Sequence, residues 1–394
     1  MSDFGTGNRS WRPRTAGMTD QAHAPKPVVF LVDASIDITG AFIAVRREAR
    51  LLRESADFVL VLPRESRVPD SLLGDFADVL KLPMPQIRKH LPSLILYFPA
   101  LLFTSTRLRL SMRRHGCDRV QLNDFYLMHG TVLRLLGFRG RIATWVRIDP
   151  RRFGRIGKAW LALVRRSSTR LVAVSRFIQS CLGDGVDTDL AYEWREPERL
   201  GPARTEGDRR LLYVGNYIAG KGQDAALAAF QMVATSFPDA RLCFVGGDMG
   251  RKSNRSYRED LERRAAQGPA AGRVEFLGRM DDVSPLYRKS YAALNFSQSE
   301  SFSMTCQDAS AFGLPIIATR CGGPEEIIEE GETGYLVPVG DVGAMAARIG
   351  DVLEDRSLAR AMGARGAKLV MNRFGAARIR PQLEQILDLR SGPD

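Results

Sequence analysis

No apolar run of transmembrane length, about 20 residues, occurs in this 394-residue chain, so no membrane-spanning helix is expected. The first 26 residues also lack the apolar stretch of a secretory signal. They are polar, with scattered Gly, Pro, Arg and Asp, and read as a disordered lead-in. Cysteine is sparse and dispersed: Cys117, Cys181, Cys243, Cys306 and Cys321 form no CxxC pair. An odd, scattered set argues against a disulfide framework or a structural zinc site, and suits a reducing cytoplasm. Histidine is scarcer still, and His23, His90, His115 and His129 show no metal-ligand spacing, so no metal or other cofactor is expected. Acidic residues are outnumbered, 45 against 57 basic ones, for a net charge of +12. An acidic partner would suit that balance, whether nucleic acid, anionic lipid or a nucleotide diphosphate, and so would a merely Arg-rich composition. No RNA or DNA module is recognisable, and the positive charge is not interleaved with aromatics in a compact patch, so nucleic acid is not the expected partner.

What is present in quantity is apolar sequence, 44% of the chain, which is enough for well-buried cores. At this length two domains are expected. Strand-length apolar runs alternate with helical patterns, the mark of α/β architecture with parallel sheets. In the first half the strands are expected at Val28–Val32, Phe58–Leu62, Arg119–Leu122, Ile142–Val146 and Leu171–Val174. A polar stretch from Tyr192 to Asp208, with Pro197, Gly201, Pro202 and Gly207, reads as a linker. The alternation then restarts with strands at Leu211–Val214, Arg241–Val245, Val274–Leu277, Ala292–Phe296 and Pro315–Ala318. The expected organisation is a first Rossmann-like domain over 27–195 and a second over 208–375. A tail over 376–394 could return to the first domain. Two doubly wound domains would face a cleft, and ligands in such sheets bind beyond the carboxyl ends of the strands.

Four segments at strand ends of the second half fit one ligand. Gly215-Asn216-Tyr217-Ile218-Ala219-Gly220-Lys221-Gly222 follows a strand and puts a lysine at a helix start, where N–H groups and an ammonium both favour an anion. It is not a Walker motif, and taken alone such a turn is more often solvated. In Ser299–Asp308, Glu300 ends a buried strand, where a solitary carboxylate needs a partner. Ser301, Phe302, Ser303, Met304 and Thr305 follow it into a helix start rich in free N–H groups, and Asp308 lies one turn on. Helix capping by Glu300 and a solvated Asp308 are the bland alternative. Gly313-Leu314-Pro315-Ile316-Ile317-Ala318 and the turn Gly322-Gly323-Pro324-Glu325-Glu326 complete the set, and each taken singly reads as a structural turn.

In this combination and order the segments closely resemble glycosyltransferase family 4, the retaining enzymes of the two-domain GT-B fold. The family pattern is a Glu, seven residues and a second Glu, then GxPVIA, a GGxxE turn and a tGxLv…gD segment. Here these are Glu300 to Asp308, GLPIIA, Gly322 to Glu326, and Thr333–Val337 with Gly340-Asp341. Val274–Arg279 is similar to the family strand whose loop lies against the nucleotide base, and Val172–Phe177 to its "vaVS.f" segment. The resemblance is strong over 208–375 and diffuse over 27–190. It implies transfer of a sugar from a nucleotide-sugar donor, with retention and without metal. It makes Lys221 and Glu300 the catalytic pair. The donor would touch Gly40, Gly215, Asn216, Lys221, Arg279, Glu300–Thr305, Asp308, Gly323 and Glu326. Asp308 stands where the family has Glu, and Asn216 where an Arg commonly helps the lysine hold the diphosphate.

The first domain is expected to hold a glycan or lipid-linked acceptor, as in cell-surface polysaccharide synthesis. Arg147 and Asp149 end a strand near where relatives carry a His, and are either cleft residues or a buried ion pair. Leu91–Phe103 is apolar between Arg88, Lys89, Arg107, Arg109, Arg113 and Arg114. It reads first as a core helix, and second as a segment lying on the anionic inner face of the plasma membrane. A nucleotide-sugar hydrolase or epimerase of the same fold, or an inactive donor-binding relative, are the competing functions.

Overall fold

The computed structural model describes residues 25–84, 91–183, 185–196 and 209–389, with backbone alone over 91–96. Most of the polar lead-in, Arg88 and Lys89, the linker from 197 to 208 and the last five residues lie outside the described residues.

The first half forms one parallel sheet. Its strands are β1 (Val28–Val32), β2 (Asp57–Pro63), β3 (Asp78–Leu82), β4 (Arg119–Leu122), β5 (Arg141–Val146), β6 (Arg170–Ala173) and β7 (Asp189–Leu190), in the order β3-β2-β1-β4-β5-β6-β7. Its helices are α1 (Gly40–Leu51), α2 (Leu91–Arg114), α3 (His129–Leu135), α4 (Gly154–Ser167) and α5 (Arg176–Cys181). The second half builds another parallel sheet from β8 (Arg209–Val214), β9 (Ala240–Val245), β10 (Val274–Leu277), β11 (Ala292–Asn295), β12 (Ile316–Thr319) and β13 (Gly334–Val337). Its order is β10-β9-β8-β11-β12-β13. Around it lie α6 (Gln223–Val233), α7 (Lys252–Ala265), α8 (Ser284–Lys289), α9 (Met304–Ala311), α10 (Val342–Glu354) and α11 (Arg356–Phe374). A last helix, α12 (Ala376–Ile386), follows.

Strands such as β1 and β12 are apolar on both faces because helices cover both sides of the sheet. In each sheet the strand order reverses once, between β1 and β4 and between β8 and β11. The loops leaving the two strands at a reversal diverge to opposite sides and open a crevice. In the second sheet those loops are 215–222 and 296–303, the first two segments that the sequence singles out.

The two halves are joined by more than a linker. Gln307 donates to the Glu193 carbonyl at 2.5 Å and the Arg195 N–H bonds the Phe374 carbonyl, while Trp194 fixes this segment to the first half through its Nε1–H to the Arg47 carbonyl at 2.5 Å. Glu193 and Trp194 are buried, so the described start of the expected linker is packed structure rather than a solvated tether. The chain also returns to the first sheet at its end. Ser55 donates to Glu384 at 2.7 Å, and Asp388 pairs with Arg141 at 2.7 Å.

Candidate functional site

Lys221 is presented by a loop with little freedom. Gly220 and Gly222 on either side both have left-handed φ, +89° and +81°. A Cβ on Gly222 would sit 2.0 Å from the Phe296 carbonyl oxygen, so only glycine permits this approach. Gln298 N–H closes onto the Gly220 carbonyl at 2.9 Å, stitching the loop after β8 to the loop after β11. The result is a direct bond: Lys221 Nζ lies 2.8 Å from Glu300 Oε1, which also accepts from Ser297 Oγ at 2.7 Å. Glu300 Oε2 has no partner among the described residues, and the ammonium has two further N–H donors. The half-buried carboxylate thus finds its partner, and both groups keep bonding capacity toward the crevice.

The start of α9 is built as an anion seat. Ser303 precedes the helix in a left-handed conformation, φ +71°, that is uncommon for a residue with a side chain. Its Oγ accepts the Cys306 N–H, while Asn295 Nδ2 bonds Ser303 Oγ at 2.9 Å and Thr305 Oγ1 at 3.0 Å. The turn is therefore held from the strand below, leaving the N–H groups of Met304 and Thr305 without helical acceptors. Asn295, a buried polar residue closing an apolar strand, is a supporting residue that the motif reading missed.

A second helix start meets the first. Thr39 caps α1 by accepting the Phe42 N–H, and a Cβ on Gly40 would stand 3.9 Å from Met304 Sδ. The positive ends of α1 and α9, one from each half, thus come together, and α9 starts four residues after Glu300, the partner of Lys221. On the rim, Asn216 Oδ1 accepts the Gly247 N–H at 3.1 Å. Arg279 packs against the same glycine, where a Cβ would be 3.4 Å from its own and 3.6 Å from Asn216 Oδ1, and pairs with Asp281 at 3.2 Å. Asn216 is thus turned to the neighbouring loop, with Arg279 close by. Gly215 leads into this turn and bonds the Val245 carbonyl.

Residues 195–369 match the model of the family described as Glycosyl transferases group 1. That stretch, a little under half of the chain, is thus similar to the group 1 glycosyl transferases. N-acetyl-alpha-D-glucosaminyl L-malate synthase of Bacillus anthracis is 33% identical over 182 residues, 46% of each chain. Phosphatidyl-myo-inositol mannosyltransferase of Mycolicibacterium smegmatis is 29% identical over 188 residues, 47% of this chain and 46% of that one. The matched stretch spans about half the length of these curated relatives. Alr3699/HepE of Anabaena, solved in complex with UDP-glucose, superposes with a TM-score of 0.77 over 92% of this chain and 99% of its own, at 18% identity. The two Rossmann-like sheets are thus the GT-B fold.

Several expected donor residues make other contacts in the structure. The Glu326 carboxylate accepts the N–H groups of Arg176 and Phe177 at 3.1 and 2.8 Å and the Tyr192 hydroxyl at 2.6 Å. It caps α5 across the domain boundary, since the open N–H groups of a helix start attract a carboxylate. Gly323 is likewise engaged by the protein itself. A Cβ there would lie 2.3 Å from the Phe302 carbonyl carbon, and its N–H bonds the Glu300 carbonyl, so the close approach is to protein backbone. Phe302 is buried among Tyr192 and Phe374, and the neighbouring Ser301 carbonyl is taken by Ser175 Oγ at 2.5 Å.

Arg147 is a buried network hub rather than a cleft residue. It bonds Asn123 at 2.5 Å and Glu48 at 2.6 Å and pairs with Glu193. Burial disfavours its charge, but Glu193 and Glu48 outweigh that and raise its pKa above the ordinary value. Burial pushes nearby Asp124 up to about 7 despite bonds from the Arg147 and Phe125 N–H groups. Asp149 caps the 3-10 turn Pro150–Phe153 and is held by Arg151 at 2.9 Å. Asp308 meets two arginines that sequence reasoning did not place beside it. Arg47 of α1 bonds both its oxygens at 2.8 and 2.9 Å, and Arg195 stands 3.2 Å away. No group of three or more His, Cys, Asp or Glu side chains among the described residues could hold a metal ion, and no helix among them is long and apolar enough to cross a membrane.

Proposed function

We propose that this chain transfers a sugar from a nucleotide-sugar donor to a glycan or lipid-linked acceptor in cell-surface polysaccharide synthesis, at the inner face of the plasma membrane. The observation that carries the reading is the convergence of two helix N-termini with the Lys221–Glu300 pair in one crevice. Breaking the anomeric bond loads charge onto the leaving diphosphate as the sugar becomes oxocarbenium-like. Preorganised donors aimed at that charge are the largest single contribution available to a protein. Lys221 Nζ and the N–H groups of Met304 and Thr305 fill that role here, with Gly40 closing from the other half. Glu300 Oε2 accepts from sugar hydroxyls, which positions the anomeric carbon. Among the described residues only Glu300 pairs with Lys221, and we assign transfer to the front face, with retention. The positive groups already present take the part a divalent metal would play.

The test is turnover of a panel of nucleotide sugars in the presence of EDTA, by the natural chain and by Lys221→Ala. A uridine diphosphate sugar comes first, because the Anabaena protein of the same fold was solved with UDP-glucose. Loss of Lys221 should cost about 2–3 kcal/mol of transition-state stabilisation, comparable to removing one preorganised donor. Near-normal turnover by the variant would put the phosphates elsewhere. Activity abolished by EDTA and restored by manganese or magnesium would overturn the metal-free mechanism. Stabilisation by a donor without turnover would make the chain a donor-binding relative.

A further inference from the structure

Exposed apolar surface is unevenly spread over this molecule. Of eleven large hydrophobic side chains standing in solvent among the described residues, eight fall between Phe98 and Leu163. All eight belong to α2, α3, α4 or the 3-10 turn Pro150–Phe153 that leads into α4. The three helices make the successive crossovers β3→β4, β4→β5 and β5→β6, which run the same way across the sheet. With right-handed connections they lie on one face of it, and α2 packs against α3 and α3 against α4.

Each helix divides the same way. On α2, Leu101, Leu108 and Met112 face the sheet, while Phe98, Leu102, Phe103 and Leu110 lie on the opposite arc, Phe98 being 72% exposed. On α4, Val164 is inside, and Ile156 and Leu163 are outside. Leu135 at the end of α3 is 82% exposed. Interleaved with these are exposed cations, Arg107, Arg113 and Arg114 on α2 and Arg155, Lys158 and Arg166 on α4. None of α2, α3 and α4 contains an Asp or Glu, and these six cations have no carboxylate partner among the described residues.

We infer that this three-helix face is a docking platform for an anionic lipid bilayer. Apolar tips enter the headgroup boundary while arginine and lysine heads stay at the phosphates, with their stems along the apolar surface. Two copies of this face brought together would set cation against cation, and a nucleic acid would match the charge but leave the phenylalanine and leucine tips uncovered. The platform's edge is the Phe153 turn, which follows β5 at the end of the sheet where the cleft opens. Beside it the Arg151 guanidinium lies 5.8 Å from the Phe177 ring, which fills the space a Cβ on Gly322 would need. A lipid-linked acceptor anchored under the platform would therefore emerge at the cleft mouth. The inference deepens the proposed membrane-side placement, and its test does not require sugar transfer.

The full chain is sedimented with vesicles of phosphatidylcholine alone and of phosphatidylcholine with phosphatidylglycerol, over a range of salt. Binding is expected to the anionic vesicles only, weakening as salt rises. A triple variant, Arg155→Glu, Lys158→Glu and Arg166→Glu, should lose about a hundredfold or more, at roughly fivefold per basic residue near the surface. A Phe98→Ser, Leu102→Ser variant should lose the fraction that resists salt. An unchanged circular dichroism spectrum and thermal midpoint in both variants excludes misfolding. Equal binding to neutral vesicles, or none to either, overturns the inference. So does a dimer of the natural chain that the same substitutions dissociate, which would assign the face to a second copy. Vesicle binding without turnover of any donor would leave the platform standing and remove the transferase reading alone.

Discussion

Asp308 shows how a residue's role depends on partners far along the chain. The resemblance puts it among the donor residues, where we assign it the ribose hydroxyls, and it already accepts from Arg47, more than 250 positions earlier, with Arg195 beside it. A carboxylate offers about four acceptor positions, and Arg47 fills two of them, the Arg195 contact being an ion pair. Positions remain for ribose hydroxyls, so the group would serve the donor and the domain junction together. Asp308→Asn should weaken donor binding by about 1.5–3 kcal/mol, the range for hydrogen bonds to a charged group. Because ribose is remote from the bond being broken, the loss should appear as a raised donor KM with kcat largely kept. An intact KM with kcat abolished would place Asp308 at the anomeric centre. Arg47→Ala should lower the thermal midpoint, and a donor KM unmoved by it would separate the junction role from the ribose role. Lys221 and Glu300 were legible in the sequence because each sits at the mouth of its own strand, and strand order brings those mouths together. Glu326 was not, because its partners at Arg176, Phe177 and Tyr192 come from the other half of the molecule.

Among elements, the loop from Val214 into α6 is the most constrained. Gly222 combines a left-handed φ with contact against the Phe296 carbonyl, so any side chain must move backbone. Gly222→Ala should destabilise the fold by about 1–3 kcal/mol, readable as a lowered thermal midpoint. It should also reduce kcat by displacing Lys221, whereas an unchanged kcat would mean the loop tolerates the shift. Strands at Val28–Val32, Arg119–Leu122 and Val274–Leu277 were readable to the residue, since each is a short apolar run bounded by turns. The edge strands Asp78–Leu82 and Gly334–Val337 were not read as strands. Asp78–Leu82 has only Leu82 buried and Lys81 in solvent, and Gly334–Val337 is a four-residue run that opens on a glycine. Helix α7 escaped for a similar reason: it buries only Asn254, Leu261 and Ala265, too few to draw an apolar stripe.

For the whole molecule, the last helix matters most, because it follows the second domain in sequence and completes the first in space. Ile379, Leu383, Ile386, Leu387 and Leu389 are buried in a cluster that includes residues of the first sheet. At about 1.5–3 kcal/mol for each buried side chain, their removal forfeits roughly 7–15 kcal/mol. That rivals the whole stability of an ordinary domain. A chain ending at Gly375 should therefore be recovered as aggregate, and a soluble product with native helix content would refute this. The same strap sets the order of assembly during synthesis. The first domain leaves the ribosome early, yet its outer groove stays unfilled while close to two hundred further residues are made, roughly 10–40 s at ordinary translation speed. Throughout that interval a sticky surface is available to chaperones and to neighbouring nascent chains, and a ribosome stalled in the second domain leaves the first one unfinished.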